Sequence, residues 1–154
     1  MTEYTILLCF DENDMTRVLM CLKDRSKYAG KFNGLGGKVE AGETPYDGAL
    51  RELKEEAGVE PLRRMELVLQ EEDEDCKNPG QPSRLYFYKA FVNAKEVQQQ
   101  YGESEILAWI PVRTVFTRPN NFASEGGLQE ALQKCIEQKE NKPSAFGISL
   151  YASM

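Results

Sequence analysis

The stretch Gly36-Gly37-Lys38-Val39-Glu40-Ala41-Gly42-Glu43-Thr44-Pro45-Tyr46-Asp47-Gly48-Ala49-Leu50-Arg51-Glu52-Leu53-Lys54-Glu55-Glu56-Ala57-Gly58-Val59 is a glycine loop, a helix start and a helix crowded with carboxylates. Thr44 is a good N-cap, Pro45 suits the first helical position, where a missing N–H costs nothing, and Asp47 lies near the positive end of the dipole. Gly58 takes φ > 0 without penalty, so the helix is predicted from about Thr44 to about Ala57. At about 100° per residue, Ala49, Leu50, Leu53 and Ala57 share one arc, and Glu52, Glu55 and Glu56 fill the next.

Three like charges at i, i+3 and i+4 repel one another, more strongly where water is partly excluded. Such a face is either solvated surface or the seat of a hard divalent cation; the triplet alone does not decide. Mg²⁺ suits the second reading, because it takes one or two carboxylates together with waters and substrate phosphate oxygens. Arg51 can reach Glu55 one turn on, or turn back to Glu43, and so hold the acids in place.

The whole string fills the pattern G-x5-E-x7-R-E-U-x-E-E-x-G-U, with U aliphatic, at Gly37, Glu43, Arg51, Glu52, Leu53, Glu55, Glu56, Gly58 and Val59. It resembles the Nudix box, the signature of hydrolases that split a diphosphate linked to a nucleoside or related group. Nine fixed positions make this far more specific than a lone glycine motif. The resemblance implies a loop–helix–loop metal site holding Mg²⁺, with Mn²⁺ as an alternative. Glu52, Glu55 and Glu56 would be ligands or base, Gly37 would join them as a metal ligand, and Arg51 and Glu43 would brace the group. It also implies an α/β fold, an α-β-α sandwich with a mixed sheet, the box helix on one face and the C-terminal helix on the other.

At 154 residues the chain is one domain's worth, so a single domain over 1–154 is expected. With 41% apolar and 29% charged residues it reads as an ordinary soluble protein. A formal net charge of −6 argues against nonspecific binding to nucleic acid polymers or acidic membranes. With no histidine, base chemistry falls to a carboxylate or a metal-bound hydroxide. Cys9, Cys21, Cys76 and Cys135 form no C-x-x-C pair and nothing resembles a signal peptide, so reduced thiols in the cytoplasm are expected, with Cys9 and Cys21 as core residues. No apolar run approaches the roughly 20 residues needed to span a membrane.

Along the chain, Tyr4–Phe10 and Val18–Leu22 predict a first hairpin. Lys23, Arg25, Lys27 and Lys31 gather around Tyr28, either as an exposed loop or as a phosphate-attracting cluster. Asn33-Gly34-Leu35-Gly36-Gly37 allows close backbone approach, and its N–H groups can meet phosphate oxygens. Leu62–Gln70 predicts a strand, Glu71–Ser83 an acidic, solvated loop, and Leu85–Val92 a central strand. Glu103 and Glu105 precede a short strand, Ile106–Val112, broken by Pro111. A last helix runs from about Gly127 to Lys139.

The approach to the box, Lys31-Phe32-Asn33-Gly34-Leu35-Gly36-Gly37-Lys38-Val39, is similar to that of the mammalian oxidised-purine nucleoside triphosphatases, which usually have tryptophan where Phe32 stands. Lys23 and Asn33 match positions lining the base pocket of that group, and Gly36, Gly37 and Lys38 would face the substrate's phosphates. This resemblance makes 8-oxo-dGTP the leading substrate candidate. The group's Trp-Pro-Asp-Asp run is replaced here by Arg118-Pro119-Asn120-Asn121. Asn120 or Asn121 can both accept and donate, matching a carbonyl oxygen and an N7–H together, as in the bacterial MutT type; they can equally only make a turn. The implied chemistry is metal-assisted water attack on phosphorus, with Glu103 or Glu105 as an extra ligand or base. The expected partner is the nucleotide itself, in a monomer or homodimer. Within the fold the alternative is an ADP-ribose or dinucleotide hydrolase, whose typical downstream proline is replaced by Asp73, Glu74 and Asp75. Outside catalysis it is a nucleotide-sensing module, which commonly lacks box acids that this chain has.

Overall fold

A computed structural model describes residues 1–23, 29–100, 105–123 and 126–141. Arg25, Lys27, Tyr28 and Glu103 lie outside these residues. The elements are β1 (Thr2–Asp11), β2 (Asp14–Leu22), β3 (Phe32–Asn33), β4 (Leu35–Lys38), α1 (Pro45–Ala57), β5 (Glu66–Glu74), β6 (Pro82–Val92), β7 (Ile106–Pro111), α2 (Val112–Thr117) and α3 (Gly127–Asn141), with 3₁₀ turns at Ala94–Glu96 and Pro119–Asn121.

The strands form one mixed sheet. Its main order is β3-β2-β1-β6-β5, with β4 added on β1 and β7 on β2. β1 and β6 run parallel over their whole length, from Thr2 opposite Ser83 to Asp11 opposite Val92. The other pairings are antiparallel. Because side chains alternate, Ile6, Leu8 and Phe10 point to one face and Leu7 and Cys9 to the other. The first set packs with Val115 of α2 and with Leu128, Ala131, Leu132 and Cys135 of α3. The second packs with Ala49, Leu53 and Ala57 of α1. The sandwich implied by the box is thus the observed architecture, with β1 buried on both faces.

α1 follows its sequence signals closely. Thr44 Oγ1 accepts from Asp47 N at 3.1 Å, Asp47 Oδ2 accepts from Thr44 N, and Gly58 caps the end with φ 72°. The first hairpin forms too, with β2 starting earlier than Val18, at Asp14, directly opposite Asp11.

Two expectations need correction. The strand expected over Leu62–Gln70 is shifted to Glu66–Glu74. Leu62 is exposed, and Arg63 and Arg64 lie over the Phe91 and Tyr46 rings at 4.2 and 4.3 Å, so the chain enters the sheet only after Met65. The acidic run that follows is mostly strand, not solvated loop. Its backbone pairs with β6, and Arg84 answers Glu72 at 2.9 Å. Charges on an edge strand also discourage pairing with other chains. The remaining turn is built around Asp75, which is buried. Its carboxylate accepts from Tyr4 Oη at 2.6 Å, Lys77 N at 2.9 Å and Asn78 Nδ2 at 3.1 Å.

The Tyr4 hydroxyl, seconded by the Lys77 and Asn78 donors, holds the Asp75 carboxyl at about 2, against an ordinary 3.8. A depressed folded-state value stabilises the fold above pH about 4, and that increment is lost as pH falls through about 2. Asp75→Ala, which orphans buried donors, is expected to cost about 1–3 kcal/mol near neutrality. Urea midpoints of wild type and Asp75→Asn should converge as pH falls from about 4 to about 2; a gap that stays constant would show the charge to be irrelevant.

Candidate metal and substrate centre

Helical spacing puts Arg51, Glu52, Glu55 and Glu56 on adjacent turns of α1, while the loop before Thr44 carries Glu43 back over them. Arg51 joins these parts. Its Nε and Nη2 donate to the two oxygens of Glu43 at 2.7 and 3.0 Å, its Nη1 donates to Glu52 at 3.1 Å and Glu55 at 3.2 Å, and Nη2 also reaches Lys38 O at 3.0 Å. Both partners that the sequence offered Arg51 are therefore used at once. The guanidinium, with a further N–H from Glu40, holds the Glu43 carboxyl down at about 2.

Glu56 is turned inward. Only 9% exposed, its Oε1 accepts from Gly36 N at 3.2 Å. Burial first, and then the hydrogen-bonded and charged Glu52 carboxylate, push its carboxyl up to about 9. The Glu52 carboxylate lies against Gly37, where any Cβ would collide with it; a Cβ at Gly36, φ 140°, would strike Thr5 O. The two glycines thus let β4 pass under the acids. Glu55 remains half exposed beside Arg51. The Gly37 carbonyl receives the Thr5 hydroxyl at 3.5 Å.

A cation fits this arrangement on its chemistry. Two carboxylates in contact, one of which keeps a proton, are short of positive charge, and the donors are hard oxygens of the kind that Mg²⁺ and Mn²⁺ take.

The second group comes from β2 and β7. Their register sets Leu22 opposite Ile106, and Lys23 and Glu105 are the residues next beyond that pair. Lys23 Nζ donates to Glu105 Oε1 at 3.2 Å, and Cys21 Sγ lies 3.5 Å from the same oxygen and 3.7 Å from Gly34 O. Ligand atoms of Cys21, Glu56 and Glu105 all lie within 4.8 Å of one another. Glu105 therefore reaches the box acids. Cys21 belongs to this group as well, although the sequence suggests only a core residue; its two-residue spacing from Lys23 was the available signal. Burial pushes its thiol far up, so it is no nucleophile. Burial pulls Lys23 toward neutrality, but Cys21, Glu105 and Glu56 outweigh it, and the ammonium is held more firmly than usual.

Asn33 lies directly opposite Cys21 in the β2–β3 register, with Oδ1 accepting from Gly34 N at 2.8 Å. Phe32, on the other face, packs on Phe122 with centroids 6.1 Å apart, and Phe32 O accepts from Ala123 N at 2.8 Å. These contacts dock the segment before α3 beside β3. Asn120 and Asn121 sit exposed in its 3₁₀ turn, and no hydrogen bond among the described residues ties them to Asn33 or Lys23. Lys38 enters through its carbonyl, its side chain being exposed. Gln129 was not signalled by the sequence, and both atoms of its buried side-chain amide lack a hydrogen-bond partner.

The NUDIX domain family model matches residues 3–131, which contain every element of this centre. The chain belongs to the Nudix family. Over 56 residues it is 50% identical to the oxidized purine nucleoside triphosphate hydrolase of Mus musculus, a match covering 36% of this chain and 34% of that protein. The chain thus spans about a third of the length of that relative. Among solved structures, the MutT NUDIX hydrolase of Burkholderia pseudomallei is similar at TM-score 0.65, with 20% identity, covering 86% of this chain and 96% of that one. The NUDIX domain of Shewanella oneidensis NrtR, solved with ADP ribose, is similar at 0.69 with 18% identity, covering 89% and 87%. At such identities these two Nudix structures speak for the fold alone. No described helix is long and apolar enough to cross a membrane.

Proposed function

We propose that this chain is a Nudix pyrophosphohydrolase that cleaves an oxidised purine nucleoside triphosphate, with 8-oxo-dGTP as the leading candidate, to the monophosphate and pyrophosphate. The observation carrying this reading is that the box acids, braced by Arg51, stand beside a Lys23–Glu105 pair in a chain with half-identical stretches to an oxidised purine nucleoside triphosphate hydrolase.

Water attacks a phosphorus, its proton passes to a carboxylate, and the bond from that phosphorus to the bridging oxygen breaks toward pyrophosphate. Mg²⁺, held by Glu52, Glu55, Glu56 and Gly37, would lower the pKa of the water and neutralise charge on the phosphoryl oxygens. Arg51 and Glu43 keep the acids in register. Glu105 stands as an additional acid or base, and Glu103 stays a candidate outside the described residues. Lys23 and Asn33 hold the base, with Asn120 or Asn121 reading its oxidised edge; Gly36, Gly37 and Lys38 face the phosphates. The domain is taken to extend over 1–154 and to work in the cytoplasm as a monomer or homodimer, where its four unpaired thiols stay reduced.

A pyrophosphatase-coupled phosphate-release screen over normal and oxidised triphosphates, dinucleotides and ADP-ribose tests the reading. With Mg²⁺, turnover of 8-oxo-dGTP is expected to exceed that of dGTP by about tenfold or more, because a site built to hydrogen-bond the oxidised edge disfavours the base that lacks it. Activity on ADP-ribose alone would replace the substrate assignment, and none at all would favour a sensor.

A further inference from the structure

β7 is an edge strand, paired with β2 and with no other strand among the described residues, so one row of its backbone groups has no ladder partner. On that edge the Gln99 side chain takes the place of a strand. Its Nε2 donates to Glu105 O at 2.7 Å and its Oε1 accepts from Leu107 N at 2.9 Å. A side-chain amide has the donor and acceptor of a peptide group, so one residue satisfies both backbone groups flanking Ile106.

The segment bearing Gln99 is itself anchored to α1. Gln98 N donates to Ala57 O at 3.1 Å, Val97 packs among the α1-facing apolar residues, and the Gln100 carboxamide lies over Gly58. A short tether therefore runs from the end of the helix carrying Glu56 to the backbone of Glu105. The carboxylates of Glu56 and Glu105 converge with Cys21. Simple edge protection would need only some polar cover. Here the two bonds fall on the residue whose carboxylate enters the centre and on its second neighbour, which is registered on Cys21.

We infer that Gln99 is a positioning residue: by clamping Glu105 O and Leu107 N it holds the Glu105 carboxylate against Lys23 and beside Glu56. This rests on the role given to Glu105 in the proposed function. Loss of the clamp leaves Glu105 on a frayed strand end, and small misplacements of a reacting group are costly.

A double-mutant cycle tests the inference: wild type, Gln99→Ala, Glu105→Gln and the double variant, assayed for kcat/KM on the best triphosphate and for thermal midpoint. Gln99→Ala is expected to lower kcat/KM about tenfold with little change in midpoint. In the Glu105→Gln background the same substitution should change it less than about twofold, because the interaction it serves is gone. Gln99→Glu, which keeps the acceptor and loses the donor, should not rescue. Equal losses in both backgrounds, or wild-type kcat/KM in Gln99→Ala, would overturn the inference. A wild type inert on every triphosphate tells against the proposed function instead, and the cycle is then read on Mg²⁺–nucleotide affinity by calorimetry. Additive losses there overturn the clamp, and absence of nucleotide binding overturns both.

Discussion

Glu56→Gln is expected to lower turnover by on the order of a hundred- to a thousandfold while leaving the protein folded and, without metal, at least as stable as wild type. The amide oxygen can still accept from Gly36 N, and the amide N–H can donate toward Glu52 as the carboxyl proton does. What disappears is the carboxylate proposed to hold the cation. The pH dependence separates this account from a simple loss of packing. The Glu56 carboxyl, pushed up to about 9 from 4.5 by burial and Glu52, binds a proton in the folded state that the unfolded chain has released. Its contribution is fully present below pH about 4.5 and fades as pH rises through about 9. Thermal midpoints of the metal-free variant should therefore pull ahead of wild type across that window. A variant that falls behind wild type with rising pH, or one with wild-type turnover, contradicts the assignment.

Arg51→Ala should damage both stability and activity. One guanidinium serves Glu43, Glu52, Glu55 and the Lys38 carbonyl, all within 3.2 Å, so its removal leaves four acceptors without their donor and three carboxylates facing one another. A stability loss of about 1–3 kcal/mol is expected, which for a chain of this size lowers the midpoint by about 2–4 °C per kcal/mol. Turnover should drop about ten- to a hundredfold, the range seen when groups that orient metal ligands are lost. Arg51→Lys restores the charge but not the fork, and a single ammonium cannot serve these directions together, so it should recover only a fraction. Full recovery by lysine would mean that charge alone matters; unchanged melting in Arg51→Ala would mean that the brace carries no load.

The features legible in the sequence were those fixed by local rules. The helix from Pro45 to Ala57 has a cap, a proline, an apolar arc and a terminal glycine within a single stretch, and each signal survives in the fold. Arg51 was offered Glu55 by helical spacing, or Glu43 by turning back, and it takes both. Features set by tertiary pairing were read less well. Glu71–Glu74 looks like a solvated loop until β6 supplies its backbone partners, and Asp75 looks like another surface acid until Tyr4 reaches it from the far end of the chain. Pro111 ends β7 as its ring requires, but no local signal marked α2 starting immediately beyond it. That Glu105 enters the centre follows from the register of β7 on β2, which ends at Leu22 and Ile106 and leaves Glu105 to meet Lys23, and Gln99 becomes visible only once that edge exists.

The Glu52, Glu55 and Glu56 carboxylates are proposed to hold a divalent cation for a polyphosphate. Titration of Mn²⁺ into the protein, followed by electron paramagnetic resonance with and without a non-hydrolysable nucleoside triphosphate, tests it most directly. A bound fraction that rises with nucleotide, is displaced by Mg²⁺ and vanishes in Glu56→Gln is expected. Free Mn²⁺ throughout, or binding unchanged in that variant, would contradict it.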